Sequence, residues 1–171
     1  NLVLFDAKTA GGLGPHRGVV NSVQIMGYPD PGRRLASASD DKTVRVWDAF
    51  TGKCLKVLEG HTDVVLDVTL FEYQFSSLKL ASASGDKTVR VWDTDTGKCL
   101  KVLEGHTDTV CSLAVVGEQV LGSSFVASGS HDNTVRVWGL FSKELGRGEC
   151  LGVLEGHKGA VYCVTHLGNW A

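Results

Sequence analysis

Apolar and polar positions alternate along short stretches that recur down the chain. Leu35-Ala36-Ser37-Ala38-Ser39 and Thr43-Val44-Arg45-Val46-Trp47 follow a period of two and are rich in β-branched and aromatic residues. That pattern predicts strands, not helices. Asp40-Asp41-Lys42 between them is a tight polar turn suited to a hairpin. Thr51-Gly52-Lys53 gives a second turn before the strand Cys54-Leu55-Lys56-Val57-Leu58. After Gly60-His61-Thr62-Asp63 another apolar stretch runs from Val64 to Leu70, with its counterpart at Val110 to Val116.

The pattern is a repeat. Residues 35–63 and 80–108 differ at only three positions, Asp40/Gly85, Ala49/Thr94 and Phe50/Asp95. A looser third copy runs from Val126 through Trp138 and ends at Gly156-His157. Trp47 and Trp92 are 45 residues apart, and Trp138 lies 46 further on. His16, His61 and His106 are spaced by 45 and 45, and His157 follows after 51. Self-similarity at such a period is the mark of a repeat architecture, and four short strands per 45 residues is the content of one propeller blade.

A His followed 31 or 32 residues later by Trp, with Asp next in two of three copies, resembles the WD-repeat (Trp-Asp repeat) β-propeller family. The resemblance covers nearly the whole chain and implies an all-β fold whose blades have four antiparallel strands. Three complete blades are expected, at 16–60, 61–105 and 106–156. Partial blades flank them: residues 1–15 end a preceding blade, with Phe5 in the Trp place, and 157–171 start a further one. The third blade carries an insertion within Gly139 to Glu149. A closed ring needs about four to eight blades, so the expectation is a fragment of a larger propeller, with a two-chain ring as the alternative.

The resemblance also implies a buried hydrogen-bonded tetrad in each blade: His16, Ser37, Asp41 and Trp47; His61, Ser82, Asp86 and Trp92; His106, Ser128, Asp132 and Trp138. Ser39, Ser84 or Ser130 lies on the same side of its strand as the first serine and could take its place. A buried His must satisfy both ring nitrogens; Asp accepts one proton while Ser links the other nitrogen to the indole N–H. His, Ser and Asp are also the residue types of a hydrolase triad. A triad is built once per site, however, whereas this set recurs at blade spacing, and no Gly-x-Ser-x-Gly elbow accompanies it.

Other chemistry is thin. The formal charge of −2, from 17 Lys and Arg against 19 Asp and Glu, argues against a nucleic-acid binder. No apolar run reaches the roughly 20 residues that cross a bilayer. Asn1 to Asp6 reads as the cut end of something longer and not as a signal peptide. Gly11-Gly12-Leu13-Gly14 lacks the Lys-Ser/Thr of a phosphate loop. Asp40-Asp41 and Asp93-Thr94-Asp95 read as turns before they read as calcium ligands, and Cys163 with His166 lacks partners for zinc. No metal and no cofactor is therefore expected. Three of the five cysteines fall at repeat spacing, which suggests a reducing, intracellular and cytoplasmic setting. Arg45, Arg90 and Arg136 form a stripe expected to pair with Asp48 or Asp93.

With the framework accounted for, function is expected where blades differ. The resemblance places partner binding on the turn face, at Arg17, Asp40, Asp63, Asp108, His131 and Lys158, with Leu140, Phe141 and Leu145 of the insertion as an apolar rim. The expected function is a non-catalytic scaffold for other proteins or peptides, with self-association to complete the ring as a further possibility. The alternative is a regulatory propeller segment of a multidomain signalling enzyme, an NTPase or kinase, whose catalytic domain lies outside this chain.

Overall fold

A computed structural model describes residues 14–26, 34–73, 77–116, 124–141 and 148–165. Among them there is no helix, and twelve strands form three antiparallel sheets of four. The first sheet holds β1 (Val20–Ile25), β2 (Arg34–Ser39), β3 (Val44–Asp48) and β4 (Cys54–Leu58) in sequence order. The second holds β5 (Val65–Tyr73), β6 (Ser77–Ser84), β7 (Val89–Asp93) and β8 (Cys99–Leu103). The third holds β9 (Val110–Val116), β10 (Ser124–Ser130), β11 (Val135–Phe141) and β12 (Glu149–Leu154). Three up-and-down sheets of four strands are propeller blades, and they do not close a ring. The expected strand at Leu2–Asp6 lies outside the described residues.

Each hairpin between the second and third strands depends on one backbone conformation. Lys42, Lys87 and Asn133 take φ of 68°, 71° and 69°, and the N–H of each donates to the carbonyl of Ser39, Ser84 or Ser130. Non-glycine residues enter this left-handed region at some cost, which the closed turn offsets. A register shift opposite each Trp makes a bulge in the outer strand, at Trp47/Cys54, Trp92/Cys99 and Trp138/Cys150.

Register divides every sheet into two faces. One carries the tryptophan; in the second sheet Leu70, Leu80 and Trp92 are aligned across it, with Val68, Ser82 and Arg90 beside them. The other is small and β-branched, with Ala81 opposite Val91 and Ala83 opposite Val89. The two cores follow one rule. The alanine face of the first sheet (Ala36, Ala38, Val44, Val46, Leu58) packs on Val68, Leu80 and Trp92. The alanine face of the second (Ala81, Ala83, Val89, Val91, Leu103) packs on Leu113, Val126 and Trp138. Small residues let the next sheet approach, and the large indole fills the gap.

One sequence expectation needs correction. Leu140 is not a rim residue: β11 continues past Trp138 and buries Leu140 in the core with Phe71 and Trp138. Residues 157–165 carry no assigned strand. Val161 is nevertheless buried, and its N–H donates to the Ser130 carbonyl at 2.9 Å. Nothing is described for the Phe141 side chain or for Leu145.

Candidate functional site

The three sets of His, Ser, Asp and Trp meet with nearly the same geometry in every sheet. In the second, His61 Nδ1 lies 2.7 Å from Asp86 Oδ2, His61 Nε2 lies 2.7 Å from Ser82 Oγ, and Trp92 Nε1–H donates to Ser82 Oγ at 2.8 Å. In the third, His106 reaches Asp132 and Ser128 at 2.7 Å each, and Trp138 donates to Ser128 at 2.8 Å. In the first, His16 reaches Asp41 at 2.8 Å and Ser37 at 2.7 Å, with Trp47 donating to Ser37 at 2.7 Å. The strands bring these groups together because Ser and Trp stand on one sheet face, while His enters from the turn before the first strand.

The proton directions follow from the donor inventory. Indole can only donate, so the Ser oxygen accepts from it and turns its own hydrogen to Nε2. That leaves Nδ1–H to donate to the carboxylate, and His61 and His106 are neutral. Burial lowers the pKa of His61 and His106, and this outweighs the opposing pull of Asp86 and Asp132.

The aspartates are held more firmly than the sequence suggested. Burial pushes the Asp41 carboxyl up, but hydrogen bonds from Thr43, the Arg17 N–H and His16 together hold it well below the ordinary carboxylate range. Asp132 is held equally low, burial being outweighed by Thr134, His106 and the Thr107 N–H. Asp86 shifts the same way, burial being outweighed by Thr88, His61 and the Thr62 N–H. The hydroxyls of Thr43, Thr88 and Thr134 donate to their Asp at 2.6, 2.7 and 2.6 Å. These threonines went unassigned in the sequence, although Asp-x-Thr recurs in all three copies. Ser39, Ser84 and Ser130 stand outside the tetrad, and each accepts the N–H of its Asp at 3.1 Å.

A second missed residue is Asp67, on β5. Its Oδ1 accepts the Ser22 hydroxyl at 2.8 Å, and its Oδ2 accepts the Leu113 N–H at 2.8 Å. One carboxylate thus ties together the first strands of all three sheets.

The arginine stripe does not pair as expected. Arg45 Nη2 lies 3.9 Å from Asp41 Oδ2, and its Nη1 donates to the Gly14 carbonyl. Arg90 and Arg136 reach Cys99 and Cys150 at 3.9 and 3.7 Å. Asp93 instead binds Lys79 at 2.9 Å, Asp48 accepts the N–H groups of Phe50 and Thr51, and Asp95 binds Arg34 at 3.0 Å. Each of these carboxylates is engaged by a cation or by backbone N–H groups of the protein, and no group of metal-ligating side chains occurs among the described residues.

On the turn face Arg17, Asp40, Asp63, Asp108 and Lys158 are exposed. His131 differs from the expectation of a free surface residue: it is half-buried, with Tyr162 against its ring at a centroid distance of 5.1 Å. Among the described residues no helix is long and apolar enough to cross a membrane.

Chemically, the tetrad has the connectivity of a hydrolase triad, Ser to His to Asp. The hydroxyl that would attack is buried in every sheet, and an indole N–H occupies its acceptor side. A nucleophile must reach its substrate; these serines face the neighbouring strand.

The comparisons agree with this geometry. The family model described as WD domain, G-beta repeat matches residues 8–48, 52–93, 97–139 and 148–170. Over 34 residues, 20% of this chain, the sequence is 56% identical to "Nuclear distribution protein PAC1" of Coccidioides posadasii, a stretch that is 7% of that protein. Over 44 residues, 26% of this chain, it is 39% identical to "Ribosome biogenesis protein BOP1 homolog" of Drosophila virilis, 6% of that protein. The matched stretches are thus under a tenth of these relatives' lengths. Repeat matches across most of the chain, over sheets that each close the same four-residue network, place it in the WD-repeat family.

Proposed function

We propose that the chain is a non-catalytic interaction scaffold that presents its variable turns to other proteins or peptides. The observation carrying this reading is that the residues able to do chemistry are spent on one another: in each tetrad the serine, histidine and aspartate are engaged internally and the serine is buried. What remains accessible and differs between blades is the turn face of Arg17, Asp40, Asp63, Asp108 and Lys158, with His131 set behind Tyr162. Mixed charges around a shallow surface suit a polar protein contact. Nucleic acid is a poor fit to the net charge of −2. The blades belong to a larger ring, a reading supported by the open tryptophan face of the first sheet. An intracellular, cytoplasmic setting is supported by five unpaired thiols.

A displayed random-peptide library panned against the purified chain tests the reading. Selected peptides are expected to lose at least tenfold in affinity on Asp63→Ala/Asp108→Ala, with an unchanged melting curve. Peptides that ignore every turn-face substitution would refute it.

A further inference from the structure

On the tryptophan face of the second sheet, the cover given by the first sheet fades towards the outer strand. Val68 and Trp92 are each 1% exposed, whereas on β8 Val102, paired with Arg90, is 42% exposed and Leu100 41%. The third sheet repeats this against the second: Trp138 is 1% exposed, Leu151 and Val153 40% each. A groove therefore runs along the rim between each pair of complete sheets. Its opposite wall comes from the preceding sheet. Lys56 stands on β4 opposite Val46, on the alanine face, and the turn Thr96-Gly97-Lys98 rests on it: a Cβ on Gly97 would meet Lys56 Cδ at 3.6 Å and Leu58 Cδ2 at 3.5 Å. In the next groove a Cβ on Gly148 would meet Lys101 Cδ at 2.9 Å. The two grooves differ in charge. Glu149 follows Gly148 where Lys98 follows Gly97. The second groove thus carries a lysine and a glutamate, the first two lysines. Neither Lys56 nor Lys98 has an ion-pair partner among the described residues.

We propose that the groove between the first and second sheets binds a short, extended, acidic segment of a partner protein, as a docking surface separate from the turn face. Leu100 and Val102 are alternate residues of β8, about 7 Å apart along the strand. Alternate side chains of an extended segment laid beside β8 stand at the same interval, so an apolar-x-apolar stretch covers both. The lysines set the sign of what lies next to that stretch. Two ammonium groups brought to one groove repel each other, and a partner carboxylate between them replaces the repulsion with two attractions. Arg90, with Nη1 3.9 Å from the exposed Cys99 thiol, adds a third positive charge behind them. Lysines on outer strands also keep sheet edges from pairing. Lys56 is placed otherwise: its register puts it on the sheet face, under the next sheet's turn, and so at the groove wall. The groove between the second and third sheets has the same apolar pair, but Glu149 in place of Lys98 disfavours an acidic guest there.

A displayed peptide library panned on the full chain carrying Asp63→Ala/Asp108→Ala, which weakens the turn face, tests the groove by itself. The selected peptides are expected to share an apolar-x-apolar stretch beside Asp or Glu. A fluorescein-labelled synthetic peptide of that consensus then reports affinity by anisotropy. Its affinity is expected to fall about tenfold on Lys56→Glu/Lys98→Glu and about fivefold on Leu100→Asp, and to weaken as salt is raised. Restoring Asp63 and Asp108 leaves it unchanged. Lys98 and Leu100 are exposed and Lys56 is half-buried, so each variant is expected to keep the parent melting curve. Lys98→Glu with Val102→Ser replaces any variant that misfolds. Failure to select peptides, a consensus that is basic or lacks acidic residues, or an affinity indifferent to the lysine substitutions overturns the inference. The turn-face reading is scored on peptides selected by the unsubstituted chain, so either surface can fail without the other.

Discussion

Removing one hydroxyl from three buried serines separates a hydrogen-bonded framework from simple close packing. Ser82→Ala deletes the oxygen shared by His61 Nε2 at 2.7 Å and Trp92 Nε1 at 2.8 Å. Both partners are buried, so neither recovers a bond from water. An unsatisfied buried polar group costs about 1–3 kcal/mol, and two together, partly relaxed, cost about 3 kcal/mol. Ser37→Ala makes the same deletion in the first sheet, where Trp47 is half-buried and water restores its bond, leaving about 1 kcal/mol from His16, whose side chain is 5% exposed. Ser84→Ala removes an equally buried hydroxyl outside the tetrad. Its bonds, to the Asp63 carbonyl at 3.2 Å and from the Asp86 N–H at 3.1 Å, are longer, and Asp63 is exposed. About 1 kcal/mol is expected there too.

The difference of about 2 kcal/mol corresponds to a drop of roughly 4–8 °C in melting temperature for a chain of this size. Thermal melts followed by tryptophan fluorescence, together with hydrogen exchange of the Trp92 indole N–H, measure it. The three variants share the deleted atom and the burial of the serine, differing only in the partners left behind. Equal melting temperatures for all three, or an unchanged indole exchange rate in Ser82→Ala, would show that the shared oxygen contributes nothing beyond volume.

Three further perturbations follow from the same geometry. Asp67→Asn keeps one acceptor oxygen but sets an NH2 against either Ser22 or Leu113; a loss of about 1–2 kcal/mol is expected, with faster amide exchange at Leu113, and unchanged exchange there contradicts the clamp. Gly60 has φ of +145°, and a Cβ would stand 2.7 Å from Arg90 Nη1, whereas Gly156 has φ of +131° with nothing within 4 Å. Gly60→Ala should therefore cost about 1 kcal/mol more than Gly156→Ala in denaturant titration, and equal costs would leave only backbone strain. Acid should destabilise the fold in two steps. His61 and His106 titrate lower when folded than unfolded, so their contribution is complete above about pH 6.5 and falls as pH drops towards the folded values. Asp41, Asp86 and Asp132, also lowered, add a second loss below about pH 4. A melting temperature flat from pH 7 to pH 5 would count against neutral buried histidines.

What recurs with the repeat was legible; what crosses between blades was not. The tetrad positions stand out because His, Ser, Asp and Trp return together at a spacing of 45. Asp67 has no such signal, since Ser22 and Ser112 hold its place in the neighbouring copies and its partners lie 45 and 46 residues away. The arginine stripe was misread for a simpler reason. Arg45 and Asp48 share a strand three residues apart, and odd spacing on a strand sends side chains to opposite faces. Asp41, across the hairpin turn, is the carboxylate Arg45 approaches. His131 read as a surface substitution because Tyr162, which packs on it, sits 31 residues away in a part of the repeat that has no aromatic in the other copies.

The unit of sequence and the unit of structure are also out of step, and this bears on how the array holds together. The family match at 52–93 begins with β4 and ends with β7, whereas the second sheet runs from β5 to β8. Each matched unit from the second onward therefore gives its first strand to the sheet before it. Leu58, in the second unit by sequence, fills the alanine face of the first sheet and touches the cluster around Trp92. Leu103, from the third unit, does the same for the second sheet. A cut at a repeat boundary strips the outer strand from one sheet and leaves the next otherwise intact. The interlocking strand thus joins neighbours by backbone hydrogen bonds as well as by side-chain packing, which makes the pair of sheets, and not the single repeat, the smallest piece whose core is closed.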